Sequence, residues 1–361
     1  MMHHRWIRIS TPVFATAALT AALTAALTAV MLAAIPLVHA QAVDGPQVEW
    51  RLATWGKPRA VTAGMELLVK QIGERTGGKF NITIGYGTLG GERELLDILS
   101  AGGLQATMIC SSYHPDKHPA YTGLDLPFLP LPDLETQWAV HEAYHKHPYI
   151  LQELAKWNAI PYASSLLPQY EFVGRGPPPK TLADYKGMRV RAIGGIGEAM
   201  KNLGAVPTSV TATEVYTSME RGTVDAVSFP STYAHASYKT HEIGTWYTSN
   251  LSPGSVACPI VINKNAFAQL PPEYQKLLTE LRPKVKDALI DAYRKADEKN
   301  IPLFKRKLAF ITYTPAELAE FRKIGAQPVW DKWVADVTAK GAPGKELLQL
   351  LMDTSAQAAK K

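Results

Sequence analysis

The chain has 361 residues, 46% hydrophobic and 19% charged, with 38 Lys and Arg against 32 Asp and Glu for a net charge of +6. That is apolar material for one or two buried cores, since a single core seldom grows beyond about 250–300 residues, and it excludes a disordered chain, a fibrous repeat and a polytopic membrane protein. The basic excess is dispersed, which reads as weak general attraction for anions and not as a nucleic-acid footprint.

Residues 1–10 carry Arg5 and Arg8 and no acid, and residues 11–38 are uncharged, with a TAAL-type repeat from Thr16 to Thr28. Val38-His39-Ala40 follows, with a small Ala before the cut. A positive start, an apolar stretch and a small-x-Ala site read as a secretory signal over residues 1–40, cleaved after Ala40 or Ala42. The competing reading is an uncleaved anchor, because about 28 uncharged residues can span a bilayer; Pro36 close before the site favours cleavage. Loss of Arg5 and Arg8 takes the net charge from +6 to +4. A periplasmic location is expected. In such a compartment Cys110 and Cys258 have one possible pairing, but each lies in an apolar run that equally suits a buried thiol.

The mature chain alternates strand and helix signals. VEWRLATW (48–55) reads as a strand and the next twenty residues, with Met65, Leu67, Leu68 and Ile72, as an amphipathic helix. Gly77-Gly78 stops it before a second strand at 79–86, then a helix in ERELLDILSAG and a third strand at 105–110. Strands at 188–193, near 206–210 and at 223–229 alternate with helices at 196–203 and 213–221. This spacing predicts α/β layers with parallel strands. From 269 to 299 one long helical pattern contains Pro283, which should kink it. Thr314-Pro315-Ala316-Glu317 is a helix start with Thr as N-cap, Pro next and Glu at the third helical position.

Three constellations could carry chemistry. His141-Glu142-Ala143-Tyr144-His145 fits HExxH, which on a helix places two His around zinc with Glu as base. His147-Pro148 ends that helix at once and Lys146 follows directly, so a solvated helix face is the competing reading. Gly194-Gly195-Ile196-Gly197 follows a strand as in a dinucleotide turn, but Met200 stands where a third Gly belongs; a strand-to-helix turn whose amides face a cleft suffices. Arg175 and Arg191 lie in strand-like contexts. An inward Arg among apolar residues is costly unless an anion pairs with it, and a guanidinium fork matches a carboxylate as Lys cannot. The anion is either an internal Asp or Glu or a ligand.

Six blocks then occur together: GERTGGKFNITI (73–84), GTLGGERELLDILSAGGL (87–104), LDLPFL (124–129), LADYKGMRVRA (182–192), LGAVPTSVTATEVYTSMERGTVDAV (203–227) and VINKNAFAQLPPEYQKLL (261–278). In this order and spacing they resemble the DctP-type solute-binding proteins of TRAP (tripartite ATP-independent periplasmic) transporters, extracellular solute-binding protein family 7. The resemblance implies an α/β, two-lobed periplasmic binding protein, class II-like, with a long kinked helix spanning both lobes. Lobe I would hold 46–165 and about 254–300, lobe II 166–253 and about 301–355. It also implies capture of a small organic acid and delivery to a sodium-coupled TRAP permease. Without a nucleophile–base pair no catalytic residues are expected, nor a cofactor, assigned metal ligands or nucleic acid; whether a cation binds beside the carboxylate stays open, as does oligomeric state.

Within the resemblance Arg191 corresponds to the Arg that holds the ligand carboxylate and Arg175 to an assisting one. Phe229 stands where the family usually has Asn, which points to a ligand with an aromatic or hydrophobic body, since rings stack on rings; a C4-type dicarboxylate is the alternative. Trp55, Tyr113 and Tyr233 are expected to face the cleft. The competing functions are an exported zinc-dependent hydrolase using HEAYH and a ligand sensor of the same fold.

Overall fold

The computed structural model describes residues 42–360, so the expected export signal over 1–40 lies outside the described residues. Eleven strands are described: β1 (Val48–Thr54), β2 (Phe80–Tyr86), β3 (Ala106–Met108), β4 (Ala159–Ala163), β5 (Tyr170–Gly174), β6 (Arg189–Arg191), β7 (Val206–Thr208), β8 (Ala226–Pro230), β9 (Trp246–Thr248), β10 (Ile260–Asn263) and β11 (Ala309–Ile311). They build two sheets, ordered β2-β1-β3-β10-β4 and β11-β9-β5-β8-β6-β7.

The strand chemistry explains the layers. In β1 buried Trp50 and Leu52 alternate with exposed Glu49 and Arg51, and the last three residues are wholly buried. That is the change from a one-sided to a covered strand. The helix Ala63–Arg75 buries Met65, Leu68 and Ile72 at helical spacing.

Sequence alternation predicted parallel strands, and β1–β2, β1–β3, β6–β7 and β6–β8 are parallel. The departures are β10, antiparallel to both β3 and β4, and β5, antiparallel to both β8 and β9. Both follow from connectivity. β5 is the first strand after the chain leaves the first sheet at β4, and β10 the first after it returns from β9, so each enters its sheet from the opposite end. Each crossing segment also holds a non-glycine residue in the left-handed region, Leu166 (φ 47°) before β5 and Ser252 (φ 38°) before β10, a conformation kept only where surrounding structure enforces it.

The long helix runs from Pro272 to Lys307, eight residues past its predicted end, and continues through Pro283 and Pro302. Each proline removes one backbone donor, and the packing of Leu277, Leu281, Val285, Leu289 and Phe304 on both flanks outweighs that loss. The helix packs on Ala63–Arg75, against the first sheet, and on Ser231–Ser237, which follows β8 of the second. At Thr314 the predicted cap is present: Thr314 N–H donates to Glu317 Oε2 (2.9 Å) and Glu317 N–H to Thr314 Oγ1 (3.3 Å). Among the described residues no helix is long and apolar enough to cross a membrane.

Candidate functional site

A small cavity of about 30 Å³ lies where the C-terminal ends of β1, β3, β6 and β8 converge between the two sheets, the usual place for ligands in such folds. The seventeen residues lining it include no Asp or Glu.

Arg191, the last residue of β6, is 1% exposed. Its Nε donates to Val210 O (3.0 Å), Nη1 to Ser228 O (2.8 Å) and Nη2 to Tyr113 Oη (3.2 Å). All three acceptors are neutral. A guanidinium carries five N–H groups, so one hydrogen on each terminal nitrogen is left over. A ligand carboxylate can accept from these two hydrogens, the pairing a guanidinium favours. Neighbouring Arg189 answers the question of an internal partner differently: its Nε donates to Asp225 Oδ2 (3.0 Å) at the exposed end of β6. Arg189 is thus the paired arginine, whereas Arg191 is buried without a carboxylate among the described residues.

Tyr113 completes this donor set. Its Oη accepts from Arg191 Nη2 and also from Ala212 N (3.0 Å), so both lone pairs are used and its own proton is free to be donated into the cavity. Burial raises the phenol pKa, so the proton stays on oxygen. Trp55 meets Tyr113 edge to face with centroids 6.0 Å apart. Phe229 lies under the guanidinium, with Arg191 Cζ 4.7 Å from its ring centroid. Tyr233 also lines the cavity and packs on Tyr293, centroids 5.0 Å apart. Of the six residues expected at the site, Arg191, Phe229, Trp55, Tyr113 and Tyr233 are brought together.

Arg175 is not among them. It is exposed, and its Nη1 donates to Met219 O (2.6 Å) and Glu220 O (2.9 Å), closing the end of the helix Val215–Glu220. The reason is the reversed β5: its register pairs Tyr170 with Pro230 and Gly174 with Ala226, so the start of the strand, not its end, reaches the cavity. Tyr170 lines it instead. The second guanidinium there belongs to Arg59, from the turn after β1, whose Nη1 donates to Trp55 O (2.7 Å) and Lys57 O (2.9 Å). Sequence reasoning missed Arg59, Tyr170 and Tyr238; no periodicity marks a turn residue, a strand's first residue and the residue after a helix as neighbours.

The remaining motifs are structural. His141 Nδ1 lies 2.7 Å from Ser164 Oγ, His145 Nε2 lies 2.7 Å from Tyr121 Oη, and Glu142 is ion-paired with Arg282. The HEAYH groups thus point to three different partners. Far from being a solvated face, His141 and His145 are buried; burial lowers the pKa of His141 to about 3. Gly194 and Gly195 open the helix Gly194–Asn202 against the segment around Asp125: a Cβ on Gly195 would lie 2.3 Å from Asp125 O. The glycines serve this close approach, with the helix start facing the Asp125 carboxylate. Cys110 and Cys258, left open between pair and thiols, form a disulfide, and both line the cavity. With β3 and β10 in antiparallel register at Met108 and Ile260, the two cysteines fall opposite each other.

The chain is similar to several solute-binding proteins. A monocarboxylate 2-oxoacid-binding periplasmic protein from Nostoc sp. (strain PCC 7120) is 26% identical over 245 residues, a stretch spanning 64% of this chain and 64% of that protein. A TRAP periplasmic solute-binding protein from Desulfovibrio salexigens, solved with bound orotic acid, is 21% identical with a TM-score of 0.78, covering 86% of this chain and all of that one. A TRAP solute-binding protein from Rhodoferax ferrireducens T118, in complex with copurified benzoate, is 19% identical with a TM-score of 0.76, covering 87% and 99%. These likenesses establish the two-lobed solute-binding fold with its long helix. The profile of DctP, the bacterial extracellular solute-binding protein family 7, matches residues 53–336, and the chain belongs to that family.

Proposed function

We propose that the protein is the periplasmic solute-binding component of a TRAP transporter, which captures a small carboxylate with an aromatic or hydrophobic body and passes it to a sodium-coupled membrane permease. One observation carries the reading: Arg191 is a buried cation, in a cavity without acids, with one free hydrogen on each terminal nitrogen. An uncompensated buried charge is expensive, and a ligand carboxylate compensates it while the adjacent rings cover its body. The benzoate and orotic acid in the two structural relatives are ring carboxylates, which supports the aromatic choice.

In this reading the two lobes close on the ligand. The division of 46–165 with 254–300 against 166–253 with 301–355 is supported by sheet membership, with β1–β4 and β10 in one sheet and β5–β9 and β11 in the other. Export with cleavage after Ala40 or Ala42 belongs to the same proposal. Arg191 is the clamp, Tyr113 its partner, and Trp55, Phe229 and Tyr233 the walls.

The test is a thermal-shift screen of residues 41–361, unfolded and refolded to remove carried-over ligand, against aromatic, aliphatic, keto and dicarboxylic acids. A ligand at a hundred times its dissociation constant adds about 2.7 kcal/mol, several degrees for a chain of this size. A shift with ring carboxylates that falls at least about tenfold in affinity in Arg191→Lys is expected. Unchanged affinity in that variant overturns the clamp.

A further inference from the structure

The same cavity holds a second polar position that the Arg191 clamp does not use. Tyr238, at the end of the helix Ser231–Ser237, has its hydroxyl buried with no hydrogen-bond partner among the described residues. It lines the cavity, and its ring stacks on Phe229 with centroids 5.1 Å apart and planes inclined by 22°. Burial raises its pKa to about 12, so the phenol is neutral and can both donate and accept.

Beside it stands Arg59. Its guanidinium carbon lies 5.8 Å from the Tyr238 centroid and 5.8 Å from that of Trp55. Both Nη1 bonds go to backbone carbonyls of its own turn, which fixes the group and leaves Nε and Nη2 without a partner among the described residues. Gly56 makes the arrangement possible. It sits at φ +72°, and a Cβ there would lie 3.1 Å from Arg59 Nη1 and 3.1 Å from Tyr238 Oη. The order along this wall is therefore Arg191, Phe229, Tyr238, Arg59: a guanidinium at either end and two rings between.

A plain ring carboxylate held by Arg191 would leave the buried Tyr238 hydroxyl unpaired, which is costly. A ligand with an oxygen atom on the far side of its ring would pair with that hydroxyl and with the free hydrogens of Arg59. We propose that Arg59 and Tyr238 form a second anchor that selects aromatic acids bearing a hydroxyl, oxo or second carboxylate oxygen distal to the clamped carboxylate. The proposal rests on the Arg191 reading above and goes beyond it by naming the ligand class. A site that presents a buried hydrogen-bonding group discriminates strongly against analogues lacking the partner.

The experiment is isothermal titration of the refolded protein with benzoate, 3-hydroxybenzoate, 4-hydroxybenzoate, isophthalate and terephthalate. At least one oxygenated acid is expected to bind about tenfold more tightly than benzoate. Tyr238→Phe, which removes a single oxygen, should bring the ratio of that acid's affinity to benzoate's close to one. Arg59→Gln should lower the ratio most where the distal group is a carboxylate, which separates hydroxy or oxo acids from diacids. Benzoate binding as tightly as every oxygenated acid, or a ratio unmoved by Tyr238→Phe, overturns the second anchor while leaving the Arg191 clamp standing. Failure of every acid, benzoate included, overturns the clamp and the anchor together.

Discussion

The guanidinium carbon of Arg191 stands 4.7 Å from the centroid of Phe229. The resemblance of the sequence to the family leads one to expect Asn at this position, and the ring that stands there instead packs on the buried guanidinium. The exchange trades a hydrogen bond for a face that stabilises the cation and covers an apolar ligand body. Phe229→Leu keeps the apolar volume and removes the π face, and it should weaken ring-carboxylate binding by about two- to thirtyfold, since such contacts are worth roughly 0.5–2 kcal/mol. Phe229→Asn should weaken aromatic acids more than aliphatic ones. Titration of both variants with one aromatic and one aliphatic acid checks this; equal losses for both acids would show that the ring only fills space.

Glu92, beyond β2, reaches across to the second half. Its Oε1 accepts from Thr213 N (3.1 Å) and from Thr213 Oγ1 (2.7 Å), capping the turn Ala212–Glu214 from outside. Arg93 adds a bond from Nη2 to Ser209 O (3.2 Å) while its Nη1 holds Tyr113 O (3.1 Å). In the proposed closing of the lobes these contacts form only once the halves meet, so they act on release and not on encounter. Glu92→Ala should raise the ligand off-rate by about tenfold, as expected for a charge-assisted pair of bonds, with the on-rate within about twofold. Stopped-flow tryptophan fluorescence reads both rates, and an unchanged off-rate would remove Glu92 from the closed state's support.

Much of this was legible in the chain. The alternation in β1, the Thr314 cap and the inward Arg191 are local signals, each set by residues within a few positions of one another. Arg175 shows the limit. Its strand was recognisable, but whether a strand's first or last residue reaches the cleft depends on its direction, and β5 is reversed because it follows a crossing between sheets. Tyr170 and Arg175 exchange roles through that single fact. Arg59 and Tyr238 were invisible for a related reason: 179 positions separate them, and only the closed fold sets one over the other. The HEAYH motif misled in the opposite way, since i and i+4 histidines share a helix face whether that face meets a metal or, as here, Ser164 and Tyr121.

Glu171 gives a pH dependence. It is 4% exposed and accepts from Thr248 Oγ1 (2.5 Å), Leu251 N (3.2 Å) and Ser252 N (3.0 Å) without a cation, and burial raises its pKa from 4.5 to about 7. Between these values the folded state holds a proton that the unfolded state has released, so this group makes stability fall as pH rises from about 4.5 to about 7. His114 and His118, lowered by burial to about 4 and about 3, act oppositely: their contribution is present above the ordinary 6.5 and is lost on acidification. Glu171→Gln should remove only the first component. The difference in unfolding free energy, variant minus wild type, should rise across pH 4.5–7 by up to about 3 kcal/mol. Urea titrations at half-unit steps test the sign, and a flat difference would mean Glu171 is ionised throughout.

The Cys110–Cys258 disulfide ties β3 to β10 across 148 residues of sequence and forms part of the cavity wall. Both cysteines are 3% exposed, so a reductant approaches their sulfurs either through the cavity or after unfolding. Closing so long a loop restricts the unfolded chain, and Cys110→Ala with Cys258→Ala should cost about 2–5 kcal/mol. A second consequence follows from the position of the bond. A ligand seated on Arg191 blocks the cavity route, so saturation with a bound acid should slow reduction by a thiol at a fixed temperature well below unfolding. Thiol-trapping followed by mass measurement reads the rate. Equal rates with and without ligand, in protein shown to bind that acid, would mean that reduction proceeds through global opening and that the ligand does not cover the sulfurs.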